Sequence, residues 1–178
     1  MLAALLFASS AAMAHDDAHI KPVFDASKAE QKEFGIAGDP TRVHRTIKLV
    51  MSDDMRFTPA RIKVKEGETV KLVVKNKGKL MHEVVIGTAA SLQEHAAMMR
   101  KSPAMVHKGA YMAHVKPGAI QEIVWTFNRH GEFDFACLVA GHFAAGMVGK
   151  IEVGEKNRRN YFNLSLIHIS EPTRQEAI

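Results

Sequence analysis

From Thr46 onward the chain alternates polar and apolar residues in short runs, the period of strands with one face in a core and the other in water. Residues 46–51 and 61–65 carry the alternation, and the β-branched run 69–74 follows the turn Glu66-Gly67-Glu68. A second turn, Asn76-Lys77-Gly78-Lys79, leads to His82 and the run Glu83-Val84-Val85-Ile86. Residues 120–127 and 131–136 read as two further strands joined by the turn Asn128-Arg129-His130-Gly131, and 149–153 closes the set. Short strands with regular turn punctuation predict an all-β sandwich or barrel. One helical segment interrupts it: Ser91-Leu92-Gln93-Glu94 reads as a capping box, Ala and Met residues follow to Arg100, and Pro103 stops the run. A loop with Met105, His107, Met112 and His114 then reaches the Lys116-Pro117-Gly118 turn.

The ends behave differently. Residues 1–14 form an apolar run closing on Ala12-Met13-Ala14, a small-x-small pattern that predicts a signal peptide cleaved after Ala14. The run is too short to span a membrane, so export without stable membrane insertion is expected. It lacks the usual Lys or Arg at its start, which fits a true start lying upstream. Residues 15–40 are polar and aperiodic, with Gly35 and Gly38-Asp39-Pro40 as breakers, and predict a flexible N-terminal arm. His15 would become the new N-terminus, where amine and imidazole together suit Cu(II), with His19 nearby. The stretch 155–178 breaks character: Asn163 to Arg174 looks like translated adapter sequence, a read-through, and carries no functional reading. What remains, 41–154, is one domain's worth of chain, and 47% hydrophobic content is ordinary for a globular core. The net charge of +5 includes no Lys/Arg cluster interleaved with aromatics, so nucleic acid is not indicated.

The chemistry concentrates in one run. The chain's single cysteine, Cys137, is followed by His142 and Met147 at C-x4-H-x4-M spacing, with Gly141 and Gly146 letting the loop curl, and His82 stands upstream at the head of a strand. One thiolate, two imidazoles and a weak axial thioether are the donors of a blue-copper centre. A soft thiolate and borderline imidazoles hold both copper oxidation states, and a weak Met ligand avoids a Cu(II)-only geometry. Taken singly, Cys137 is a small buried hydrophobe and Met147 a core filler. Taken jointly on one spacing, His82, Cys137, His142 and Met147 are the candidate ligands of one copper. Ligation also explains an odd Cys in an exported chain. Zinc is open to Cys plus two His, but the late Met argues against it.

The run from Phe135 to Gly149 resembles the C-terminal ligand loop of the cupredoxins, with the spacing of rusticyanin-like members rather than the shorter loops of plastocyanin and azurin. The resemblance extends over residues 46–153 and includes Arg56-Phe57-Thr58-Pro59, the Glu66-Gly67-Glu68 turn and the His82 strand. It is strongest to bacterial periplasmic cupredoxins associated with copper tolerance, which share the helical insert at 87–95. The resemblance implies a Greek-key β-sandwich of about eight strands, a type 1 copper and a periplasmic location. Many cupredoxins place Asn after the first His to tie the two ligand loops together; this chain has Glu83. Multicopper oxidases and copper nitrite reductases place His beside the ligand Cys, whereas here the neighbours are Ala136 and Leu138, so an enzyme is not expected. Two roles remain: copper tolerance by Cu(I)/Cu(II) handling, or a diffusible electron carrier. In either, the edge of His142 would be the electron port, and Val139, Ala140, Phe143, Ala144 and Ala145 an apolar patch for a transient redox partner. The Met/His insert between Met98 and His114, with His95, is a candidate for a second copper.

Overall fold

The alternating runs become two sheets in a computed structural model that describes residues 24–155 other than 103, 104 and 106. In chain order the strands are β1 (Gln31–Lys32), β2 (Gly35–Ala37), β3 (Arg45–Ser52), β4 (Arg56–Thr58), β5 (Arg61–Lys65), β6 (Glu68–Asn76), β7 (His82–Gly87), β8 (Met112–Val115), β9 (Ile120–Phe127), β10 (Gly131–Ala136) and β11 (Val148–Gly154). One α-helix, α1 (Ala89–Lys101), lies between β7 and β8. One sheet has the order β1-β2-β9-β6-β3-β4, the other β5-β11-β10-β7-β8. β3 is parallel to β6 and β5 to β11, while the remaining pairs are antiparallel. Parallel neighbours cannot be joined by a tight hairpin. Here the chain crosses to the second sheet as β5 and returns as β6, which is what makes β3 and β6 parallel.

Between the sheets Leu49, Leu72, Ile86, Trp125, Phe127, Phe135 and Ile151 are fully enclosed. β5 and β11 keep a strict exposed–buried alternation along most of their length. All six residues of β7 are buried. Val84 and Ile86 face the main core, whereas Val85 joins a second cluster with Leu92, Ala96 and Met99 of α1 and with Met112, Ala136 and Leu138. A continuous apolar run is the sequence form of a strand covered on both faces. Its cover, α1, is capped three residues before the predicted N-cap Ser91. Thr88 is the N-cap: its side-chain oxygen accepts from Ser91 N at 3.1 Å, and Ser91 Oγ accepts from Thr88 N at 3.0 Å.

Two expectations are corrected. The stretch 15–40 is not a free arm through its described part: β2 pairs with β9, Ile36 opposite Thr126, and Phe34 is only 5% exposed. The Phe34 ring stacks on Trp125 with centroids 5.4 Å apart, and Trp125 Nε1 donates to Phe34 O at 3.2 Å. Strands of two and three residues are too short to display a period, so this segment read as loop; the domain begins before Gln31 rather than at Thr41. The loop expected around Met112 and His114 is instead β8, the edge strand beside β7. Residues 1–14, His15 and His19, and the tail beyond 155 lie outside the described residues. Among the described residues no helix is long and apolar enough to cross a membrane.

Candidate metal centre

β7 and β10 are antiparallel neighbours with Ala136 opposite Val85. This register brings Cys137, just past the end of β10, beside His82 at the start of β7. The chain from Cys137 to Met147 then closes on itself. His142 N donates to Val139 O at 2.9 Å, Gly146 N to Phe143 O at 3.0 Å, Met147 N to His142 O at 3.1 Å and Cys137 N to Met147 O at 3.1 Å. Gly141 and Gly146 stand at φ of +89° and +84°, where a side chain would be strained, so the loop curls where the sequence placed its glycines.

Three of the four predicted residues converge. Cys137 Sγ lies 3.3 Å from His142 Nδ1 and 3.9 Å from His82 Nδ1, and the three donor atoms all fall within 4.8 Å of one another. Donors bound about 2.0–2.3 Å from one ion stand roughly 3.5–3.8 Å apart. The residues present therefore fit a single cation. Met147 is fully buried in the same core cluster as Cys137. His82 and Cys137 are wholly enclosed, and His142 is 9% exposed. Burial pushes the Cys137 thiol up to about 11, against the opposing pull of the Glu83 and Val139 backbone N–H groups. A bound cation reverses that preference, since a coordinating thiol is deprotonated outright.

Asp53, beside the donors, is not marked by anything in the sequence. Asp53 Oδ1 lies 3.0 Å from His82 Nε2, and the same carboxylate accepts from Lys79 N at 2.7 Å and Leu80 N at 3.3 Å. The Lys79 N–H, and after it His82, hold the Asp53 carboxyl below its ordinary value. With Nε2 donating to a carboxylate, the lone pair of His82 falls on Nδ1, the nitrogen that faces the sulfur. Gly78 makes this possible by its lack of a side chain, because a Cβ there would sit 1.9 Å from Asp53 Oδ1.

Glu83 supplies the loop tie that the missing Asn left open. Its Oε1 accepts from Leu138 N at 2.9 Å, and its own N–H points to Cys137 Sγ at 3.4 Å. Oε2 pairs with His114 Nδ1 at 2.8 Å, because β8 sets His114 directly opposite Glu83. Burial pushes the Glu83 carboxyl up, and His114 and the Leu138 N–H oppose it. The insert's other ligand-type residues do not join this centre: His95 and His107 meet each other elsewhere, with ring centroids 4.6 Å apart.

Comparison with known proteins agrees with the fold and with copper as the bound metal. The profile of copper binding proteins of the plastocyanin/azurin family matches residues 45–154. The copper-resistant cuproprotein CopI of Rubrivivax gelatinosus is 52% identical over 120 residues, 67% of this chain and 73% of that protein. The protein of the same name from Pseudomonas aeruginosa is 36% identical over 157 residues, 72% of this chain and 86% of that one. Among solved structures, dithionite-reduced auracyanin from Roseiflexus castenholzii superposes with a TM-score of 0.53 at 24% identity, over 63% of this chain and 98% of that one. Auracyanin B gives 0.55 at 16% identity, over 62% and 89%. At these identities the structural likeness concerns the fold. A two-sheet β-sandwich with a Cys-His-His cluster at one end is the architecture of a copper-binding protein. The chain belongs to the plastocyanin/azurin family of copper-binding proteins, the cupredoxins, and its cofactor is copper.

Proposed function

We propose that the chain is a periplasmic mononuclear type 1 copper protein that serves copper tolerance through one-electron Cu(I)/Cu(II) chemistry. Its ligands in this reading are His82, Cys137 and His142, with Met147 as the weak axial donor. The observation that carries it is the convergence of Cys137 Sγ with the Nδ1 atoms of two imidazoles in one enclosed pocket. Copper supplies a one-electron couple there. The chain's own part is to fix the donors so that they need not move: Asp53 orients His82, Glu83 ties the two ligand loops, and the core excludes water. Tolerance is supported by the two copper-resistant relatives, each matched over most of its length. Export rests on the signal-peptide pattern of residues 1–14. With Ala136 and Leu138 beside Cys137, no imidazole is placed to relay electrons to a catalytic copper, so the reading is not enzymatic.

The second reading, a diffusible carrier for a respiratory or photosynthetic chain, draws on one surface. His142, itself 9% exposed, shares its loop with Val139, Ala140, Phe143, Ala144 and Ala145, all at least partly exposed, apolar residues that would suit brief docking by a redox protein. Deletion and complementation separate the two. Cells lacking the protein should grow normally at trace copper and fail at elevated copper, and Cys137→Ala should not rescue them. The purified Cys137→Ala protein should also lack the intense thiolate-to-copper absorption. Loss of a respiratory or photosynthetic activity with normal copper tolerance would establish the carrier instead.

A further inference from the structure

A second group of soft donors lies apart from the Cys137 centre. His95 is on α1, and His107 is in the segment between α1 and β8. Their ring centroids are 4.6 Å apart at 79°, a separation close to the 4.8 Å between His82 and His142. His107 Nε2 is buried and has no hydrogen-bond partner among the described residues. A buried ring nitrogen is ordinarily paired, so one left without a partner calls for an explanation, an ion among them. The main chain at His107 is held in place: its carbonyl receives His114 Nε2 at 3.0 Å, and His114 is fixed in turn by Glu83.

Met98 completes the group. It lies three residues after His95, hence on the same side of the helix. His95, Met98 and His107 line one cleft of about 260 Å³, with Glu94 and Tyr111 also on its wall. Met98 is 41% exposed, an unusual position for a thioether that only fills a core. Two imidazoles and a thioether prefer a soft ion over a hard one. Burial, with His107 and His114 nearby, also holds His95 below its ordinary value and so in the neutral form that can ligate.

We propose that His95, Met98 and His107 form a second metal site, for Cu(I), distinct from the Cys137 centre. This goes beyond the function proposed above and does not depend on it, because none of the three residues belongs to the Cys137 loop. A packed ring pair alone would account for the His95–His107 contact, but it would leave the His107 Nε2 without a role.

The test is anaerobic titration of the full chain with Cu(I) against a Cu(I) chelator, counting tightly held equivalents. Thiolate-to-copper absorption after reoxidation reports the Cys137 centre separately. The wild-type protein should hold one Cu(I) more than the His95→Ala/His107→Ala double variant, with the absorption equal in both. Met98→Leu, a change on the exposed face of the helix that leaves the fold intact, should weaken the additional equivalent at least tenfold. Equal stoichiometry in wild type and double variant, with the absorption intact, overturns the site. Should the double variant lose the absorption through misfolding, an unchanged affinity in Met98→Leu overturns it just as well. Absence of the absorption in the wild type would count against the Cys137 centre and leave the count of additional Cu(I) to decide this one.

Discussion

Asp53 illustrates what one carboxylate can do for a metal centre without touching the metal. It joins two backbone N–H groups of the turn before β7 to the far nitrogen of His82, fixing both the path of the chain and the tautomer of the ring. Asp53→Asn keeps the size but places an amide where the Lys79 N–H needs an acceptor. Outer partners of metal-bound histidines are typically worth about 10–100-fold in affinity. Competition titration of Asp53→Asn should therefore show copper affinity reduced by roughly that factor, with the thiolate absorption shifted but present. Unchanged affinity would reduce Asp53 to a turn residue. Nothing in the sequence marked Asp53, because it is 29 positions from His82 and sits in an ordinary polar turn. Cys137 and His142 are legible for the opposite reason: their spacing is local, and a single loop brings them together. Glu83 fell between these cases. Its departure from the family's Asn was visible, but its pairing with Leu138 and His114 depends on cross-strand register that only the folded chain displays.

At the scale of elements, the strands marked by alternation, by a β-branched or apolar run, or by flanking turns are legible in the sequence, and the shortest ones are not. β5, β9 and β10 fall where alternation and turns placed them. β8 is illegible as a strand because it has only four residues and a mixed outer face: Ala113 and Val115 enter the main core, while Met112 packs under α1 and His114 pairs with Glu83, too short a run to reveal an alternation. β1 and β2 were lost to their length, although they matter to the core. Phe34, between them, stacks on Trp125 and makes edge contacts with Tyr111 and Phe133. Phe34→Ala should lower unfolding stability by about 3–5 kcal/mol, the usual range for emptying a buried Phe site. Denaturant unfolding measures it directly. A change within about 0.5 kcal/mol, as expected for an exposed position, would return the segment to the status of a free arm.

For the whole molecule, the main core and the metal pocket draw on overlapping residues but not on the metal itself. The enclosed side chains run the length of the sandwich and meet one another across both sheets. The donor residues are held by protein contacts: His82 by Asp53, and Cys137 by the Glu83 N–H and by its own loop through Met147 O. A site assembled this way is already formed when the ion arrives, unlike small zinc domains in which ligation and folding are one event. Stripping copper should therefore leave the far-ultraviolet circular dichroism of a β-sandwich and a single cooperative unfolding transition. Loading should raise the transition by mass action, about 2.7 kcal/mol when free metal is a hundredfold above Kd. The comparison also tests how rigid the donors are, because a preformed pocket should take up copper in one fast phase with the final absorption reached at once. Loss of the β signal on chelation, or slow uptake at the rate of refolding, would mean that the ion organises the loop from Cys137 to Met147, and that the pocket is made by the metal rather than waiting for it.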